Sequence, residues 1–260
     1  MVAGPGGGLL RADDGGAGPG LPVIFVHGLA GSLEMWEPQL AHLRQSRRAV
    51  ALDLRGHGQS AAADKDDYSM EALGADVLAV ADKLGLSKFV LVGHSLGGSV
   101  ASALAAAHPE RVAGLLLVEA AGDLRKAPPE ATSALLQALR GAEFETYEKE
   151  YARQMCGRSD AVVERMLASA REAQKPALVG WFQGALHSDP LPALAAYAGP
   201  KLLIHSGLND TEYSLPKLAL DLPKKLLAAG HCLSQEAPDA FNALLDEFLA
   251  SLEKPALDPR

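Results

Sequence analysis

One serine sits between two glycines at Gly93-His94-Ser95-Leu96-Gly97. A short apolar run, Phe89 to Val92, leads into it, and a run of mostly small residues, Ser99 to Ala107, follows. The first reads as a buried strand and the second as a helix. Strand, sharp turn and helix is the setting in which a G-x-S-x-G segment gains meaning. The turn forces the serine backbone into a strained conformation. Gly93 and Gly97 are required where any larger side chain collides with the adjoining strand or helix. The Ser95 hydroxyl is therefore expected above the end of a sheet, at a helix mouth whose N–H groups face incoming negative charge. The bland alternative is an ordinary strand-to-helix turn carrying a surface serine.

Other segments share this rhythm. Val23 to Val26, Arg48 to Leu54, Gly114 to Val118 and Lys201 to His205 are short apolar runs suited to buried strands, and Lys225 to Ala229 is a weaker sixth. Helical periods fall between them at Trp36 to Arg44, Ser69 to Leu84 and Ala237 to Leu252, with Gly85 placed to stop the second. Alternating strands and helices predict an α/β fold with a mostly parallel, doubly wound sheet. One region breaks the alternation. Four helical segments, Glu130 to Arg140, Glu143 to Met155, Asp160 to Ala173 and Pro176 to Leu186, follow one another with no strand between. Ser159 or Asp160 is expected to cap the third, and Pro176 suits a first helical turn. The expected division is a flexible Gly-rich N-terminus over 1–20, a core formed by 21–122 and 199–254, and an inserted helical cap, or lid, over 123–198.

The net charge of −8 and the lack of a Lys/Arg cluster exclude nucleic acid as the expected partner. No apolar run approaches the roughly 20 residues of a membrane span, and the N-terminus has no basic segment leading into an apolar core. Cys156 and Cys232 lie far apart and outside any metal-ligand pattern, so reduced thiols and a cytoplasmic location are the expectation. No cofactor or metal motif is evident.

A serine hydroxyl is a poor nucleophile at neutral pH. It needs a base, and the base needs a carboxylate to fix its tautomer. On such a sheet the chain order is serine, acid, histidine. His231 follows the last strand in Ala228-Ala229-Gly230-His231, and Asp210 follows the strand before it. Both leave the carboxyl ends of strands, where ligands bind open α/β sheets. An oxyanion needs preorganised donors, for which the backbone N–H groups of Leu96 and Leu29 are the candidates, with Gly28 letting the backbone come close. His27 is expected to tie its own loop. Asp53 to Ser60, with Asp53 and His57, reads as a structural loop whose charged groups satisfy one another. Met35, Trp36, Trp181 and Phe182 are candidate pocket walls, although a Trp on an amphipathic helix more often belongs to a core.

The stretches VIFVHGLAGSLEMWEPQL (23–40), LDLRGHGQS (52–60), LVGHSLGGSVA (91–101), LLIHSGLND (202–210) and AAGHCLSQEAPDAFNALLDEFL (228–249) together resemble the α/β-hydrolase superfamily, in its helically capped branch. The resemblance implies a Ser95–Asp210–His231 triad and an oxyanion hole at the amides of 29 and 96. It also implies an acyl-enzyme mechanism on a small to medium carboxylic ester or lactone, without a cofactor. Serine at position 95 argues against the relatives that dehalogenate or open epoxides with Asp there. Two departures stand out. Ser206 occupies a position where relatives more often carry Gly. The stretch from Asp210 to His231 is short, and Leu215-Pro216 and Leu222-Pro223 resist a long helix in it. Glu119 and Asp123, after the fourth long strand, are therefore alternative acids, where some relatives place theirs. The competing functional readings are a small-molecule sensor of the same fold with slow turnover, and a carbon–carbon hydrolase or lyase on the same residues.

Overall fold

The computed structural model describes residues 1–5, 7–62, 67–141, 144–156, 159–208 and 210–253. Its centre is a seven-stranded sheet with spatial order β3-β5-β4-β6-β7-β8-β9. The strands are β3 (Ala12–Gly15), β4 (Val23–Val26), β5 (Ala49–Leu52), β6 (Phe89–His94), β7 (Val112–Val118), β8 (Lys201–His205) and β9 (Lys224–Leu226). All neighbours pair in parallel except β3, which runs antiparallel to β5. The expected mostly parallel sheet is therefore present.

Side chains alternate across a strand, and here both faces are covered. Ile24, Val26, Val50, Leu52, Leu91 and Leu117 pack to one side. There they meet α2 (Met70–Lys83), whose first turn is capped when the Ser69 hydroxyl accepts from the Ala72 amide at 3.2 Å, and α3 (Leu96–Ala107). Val23, Phe25, Ala51, Val92 and Ile204 face the other way, onto Leu40 and Leu43 of α1 (Glu37–Leu43) and Phe241 and Leu245 of the C-terminal helix (Pro238–Glu253). Among the described residues between β7 and β8 lie a one-turn 3-10 helix (Leu124–Lys126) and five α-helices: α4 (Pro129–Arg140), α5 (Phe144–Cys156), α6 (Asp160–Glu172), α7 (Lys175–His187) and α8 (Pro190–Ala196). The first four α-helices match the expected segments, except that the expected start of α5, Glu143, lies outside the described residues. Ser159 caps α6 by accepting from the Val162 amide at 3.4 Å. The short α8 has no counterpart in the sequence reading.

The N-terminus differs from expectation. Val2–Ala3 (β1) and Leu9–Leu10 (β2) form a two-stranded ribbon, and β3 closes one edge of the main sheet. Asp13 and Asp14, within the segment expected to be flexible, are anchored on the neighbouring segment. Arg44 donates to Asp13 at 3.0 Å, and Arg48 grips Asp14 with two hydrogen bonds of 2.8 Å. An edge strand needs no apolar alternation when its side chains find such partners.

One buried ion pair joins the loop after β5 to α2. Arg55 donates to Asp76 at 2.6 and 2.5 Å, and the two residues are 6% and 1% exposed. Arg55→Ala strands the Asp76 carboxylate inside the protein. The variant is expected to lose about 3–5 kcal/mol of stability, read from urea denaturation beside the parent chain.

Candidate active site

Ser95 stands between β6 and α3 with φ 52° and ψ −124°, outside the ordinary regions for a residue with a side chain. Such a conformation costs on the order of 1–3 kcal/mol and must be held from outside. Here its amide donates to the Val118 carbonyl at 2.9 Å, and its carbonyl accepts from Gly98 at 2.9 Å and Ala121 at 3.2 Å. Space is the other constraint. A Cβ on Gly93 would lie 2.4 Å from the Gly97 oxygen, and one on Gly97 would lie 2.2 Å from the His27 oxygen. The strand, the helix and the loop after β4 thus meet backbone to backbone.

That loop is tied as the sequence suggested. His27 is fully buried; its Nδ1–H donates to the Gly28 carbonyl at 2.8 Å, and its Nε2 accepts from the Leu54 amide at 3.0 Å. Burial lowers its pKa, in keeping with this neutral tautomer. Asp53 accepts from the Gln59 amide of its own loop at 3.0 Å and from the Leu33 amide at 2.7 Å, while Arg55 pairs with Asp76, so the charged groups of the Asp53–Ser60 loop are met by backbone amides and by α2 rather than by one another. Leu29 and Leu96 both border the same cavity as Ser95. As the first residue of α3, Leu96 has no carbonyl one turn back for its amide to meet.

His231 also borders this cavity, and the carboxylate facing it is Glu119. Glu119 follows β7 in a left-handed conformation (φ 46°) and is 4% exposed. Its Oε2 lies 3.3 Å from His231 Nδ1, while Oε1 accepts from the Ser206 amide. Burial opposes its negative charge. The hydrogen bonds from His231 and Ser206, with the attraction of the imidazole, outweigh that and hold its pKa below the ordinary carboxylate value. An Nδ1–H directed at Glu119 leaves His231 Nε2 as the lone-pair nitrogen. His94 supports the same loop from below. Its Nε2–H donates to the His231 carbonyl at 2.9 Å, and burial, with His231 nearby, pulls its pKa down to about 3, so it stays neutral.

Asp210, the preferred acid from sequence, stands elsewhere. Its side chain is 72% exposed and pairs with Lys217 at 3.1 Å. Asp123, the other alternative, is occupied by Arg125 at 2.8 Å. The physical reason lies in the short chain after β8, where the only helix, among the described residues between β8 and β9, is the single-turn Leu215–Leu218. Glu119 needs no such loop, because it leaves the strand beside β6 directly.

The two cysteines also depart from expectation. Cys156, at the end of α5, and Cys232, next to His231, are joined in a disulfide across 76 residues, with Cα atoms 5.6 Å apart. In the same place the His231 amide donates to the Met155 carbonyl at 2.9 Å. The inserted helices therefore grip the segment that carries His231.

The shared cavity measures about 550 Å³. Of the four side chains expected in its walls, Phe182 is present. Met35 instead borders a separate space of about 30 Å³ beside Leu29 and Cys232. Trp36 and Trp181 are core residues. Trp36 packs on Phe25 with ring centroids 4.8 Å apart, and Trp181 sits edge-on to His57 at 5.0 Å. Sequence reading missed Tyr147, Glu148 and Tyr151 of α5, which border the cavity. Their spacing of three and four residues puts them on one helical face, a signal present in the sequence but indistinguishable there from a solvated stripe.

The family model for the alpha/beta hydrolase fold matches residues 22–233, and the chain belongs to that family. Among solved structures it is similar to the enol-lactonase from Burkholderia xenovorans LB400, with TM-score 0.83 and 25% identity over 93% of this chain and 96% of that one. It is also similar to a thermophilic esterase from Thermogutta terrifontis, with TM-score 0.82 and 26% identity over 97% and 98% of the two chains. Among curated proteins, the dihydrolipoyllysine-residue acetyltransferase component of the acetoin cleaving system of Pseudomonas putida is 43% identical over 45% of this chain and 31% of its own length. The chain spans less than half the length of the first curated relatives it matches. Among the described residues no helix is long and apolar enough to cross a membrane.

Glu148 allows a direct check on the cavity. Burial pushes its carboxyl pKa up to about 7 from an ordinary 4.5. A raised carboxyl pKa costs nothing below the unfolded value; the penalty grows as pH climbs from there towards 7 and is complete above it. Glu148→Gln is therefore expected to match the parent chain near pH 4 and to exceed its stability by up to about 3 kcal/mol near pH 8, in urea denaturation at both values.

Proposed function

We propose that this protein is a serine hydrolase that cleaves a small to medium carboxylic ester or lactone through an acyl-enzyme. The observation that carries this reading is the convergence on one cavity of Ser95, in its strained turn, and the His231–Glu119 pair. The likeness to an enol-lactonase and an esterase over nearly the whole chain supports it.

In this mechanism His231 Nε2 takes the Ser95 proton as Oγ attacks the acyl carbonyl. Glu119 keeps the proton on Nδ1 and stabilises the imidazolium that forms. The carbonyl oxygen becomes an anion facing the Leu29 and Leu96 amides, and one such donor is commonly worth about 3–4 kcal/mol of barrier. His231 then protonates the departing alkoxide. Water, deprotonated by the same nitrogen, attacks the acyl carbon and restores Ser95. His94 acts as a positioning residue through the His231 carbonyl. The aliphatic and aromatic parts of the wall suit the apolar portion of an acyl body.

Ser95→Ala is expected to abolish the burst and the turnover of p-nitrophenyl esters in stopped-flow hydrolysis; turnover near that of the parent chain overturns the scheme. The identity of the acid is tested separately. Glu119→Gln is expected to lower kcat on the order of 10³–10⁴-fold, because the amide favours the wrong tautomer of His231. Asp210→Asn is expected to stay within about threefold of the parent chain, as befits a surface ion pair. The reverse ranking returns the acid's role to Asp210.

A further inference from the structure

Glu148 is a carboxyl group without a partner in the wall of the cavity. It lies on α5, is 6% exposed, and makes no hydrogen bond or ion pair among the described residues. Its neighbours on that helical face are two tyrosines, Tyr147 and Tyr151, with rings stacked at 6.4 Å and 10° between planes. Tyr151 in turn stands edge-on to His231, with centroids 6.5 Å apart. The acidic side chain and both rings therefore open into the space that holds Ser95.

A buried carboxyl with no donor is costly, and a fully apolar wall would be more stable. The cost is recovered when a ligand brings the missing positive charge. A carboxylate beside aromatic faces attracts an organic ammonium group, because the ring quadrupoles and the carboxylate draw on the same cation. The same charge repels carboxylated substrates. The chain's net charge of −8 adds to the attraction of cations from solution.

We infer that Glu148, with Tyr147 and Tyr151, forms a subsite for an alkylammonium group carried by the substrate of the Ser95 site. This deepens the ester-hydrolase reading and rests on it for the reaction, though not for binding. Glu148 touches the remote end of the substrate and sets specificity, leaving the bond-breaking step to Ser95 and His231.

The test pairs turnover with binding. Two p-nitrophenyl esters are compared, one whose acyl chain ends in trimethylammonium and its isostere ending in tert-butyl. A second pair, acetylthiocholine and its tert-butyl isostere, places the charge on the leaving group. Wild type and Glu148→Gln are assayed at about pH 8.5, where the carboxyl is ionised. The wild type is expected to favour the charged member of at least one pair by about tenfold or more in kcat/KM, and the ratio should fall towards one in the variant. Calorimetry with tetramethylammonium should show binding to the wild type that the variant loses.

No preference in either pair and no tetramethylammonium binding by the wild type overturns the subsite. So does a preference that survives in Glu148→Gln, since net charge alone then explains it. Hydrolysis of the esters without discrimination, together with no tetramethylammonium binding, removes the subsite and leaves the hydrolase reading standing. Glu148-dependent binding of tetramethylammonium with no ester turnover does the reverse.

Discussion

The approach of the Ser95 turn to the loop after β4 is the contact from which the rest of the site takes its geometry. With no Cβ at Gly97, the α3 backbone reaches the His27 carbonyl, and with none at Gly28, the loop reaches Ser95 itself. His27 then fixes the far side of the loop by bridging the Gly28 carbonyl and the Leu54 amide. Three separate strand ends, those of β4, β5 and β6, are thereby locked to one another. Hydrogen bonds to the backbone of Val118 and Ala121 bring in β7. The strained φ at Ser95 is sustained by this closure, and any proposed oxyanion contact of Leu29 and Leu96 depends on the same packing.

The inserted helices do more than roof the sheet. Met155 accepts the His231 amide, and Cys156 is covalently joined to Cys232, so the segment bearing the imidazole is held by α5 on one side. On the other, His94 holds the His231 carbonyl. Short loops at the carboxyl edge of a sheet are ordinarily among the least constrained parts of such a fold. Here the insertion supplies the constraint, and the same helix places Tyr147, Glu148 and Tyr151 over the cavity. The placement of His231 and the polarity of the cavity are consequently coupled through one element.

Local patterns made much of this legible in the sequence. Continuous apolar runs marked the buried parallel strands, and the G-x-S-x-G turn between strand and helix located Ser95, because both signals arise from neighbours in the chain. His231 and the tying role of His27 followed from their places after strands. What escaped depended on distant partners. Asp13 and Asp14 fall in the segment expected to be flexible, because nothing local reveals Arg44 and Arg48 beside them. Cys156 and Cys232 read as isolated thiols because 76 residues separate them. Trp36 and Trp181 were candidate walls because size and aromaticity cannot tell a cavity from a core; only Phe25 and His57 packed against them decide it.

The position of the proposed acid follows from sheet order. β7 lies between β6, which presents Ser95, and β8, whose following loop carries Asp210. An imidazole arriving over β7 can be met by a carboxylate from either the β7 or the β8 edge. For Asp210 to reach inward, its loop must fold back over the sheet. The chain beyond β8 instead turns outward, so Asp210 meets Lys217 at the surface. Glu119 has no such distance to cover. Its left-handed backbone turns the side chain beneath His231, and the longer glutamate arm spans to Nδ1 while its second oxygen caps the Ser206 amide. That capping links the ends of β7 and β8. Ser206, a departure to which the sequence alone attaches no functional consequence, thereby helps fix the carboxylate through its backbone amide.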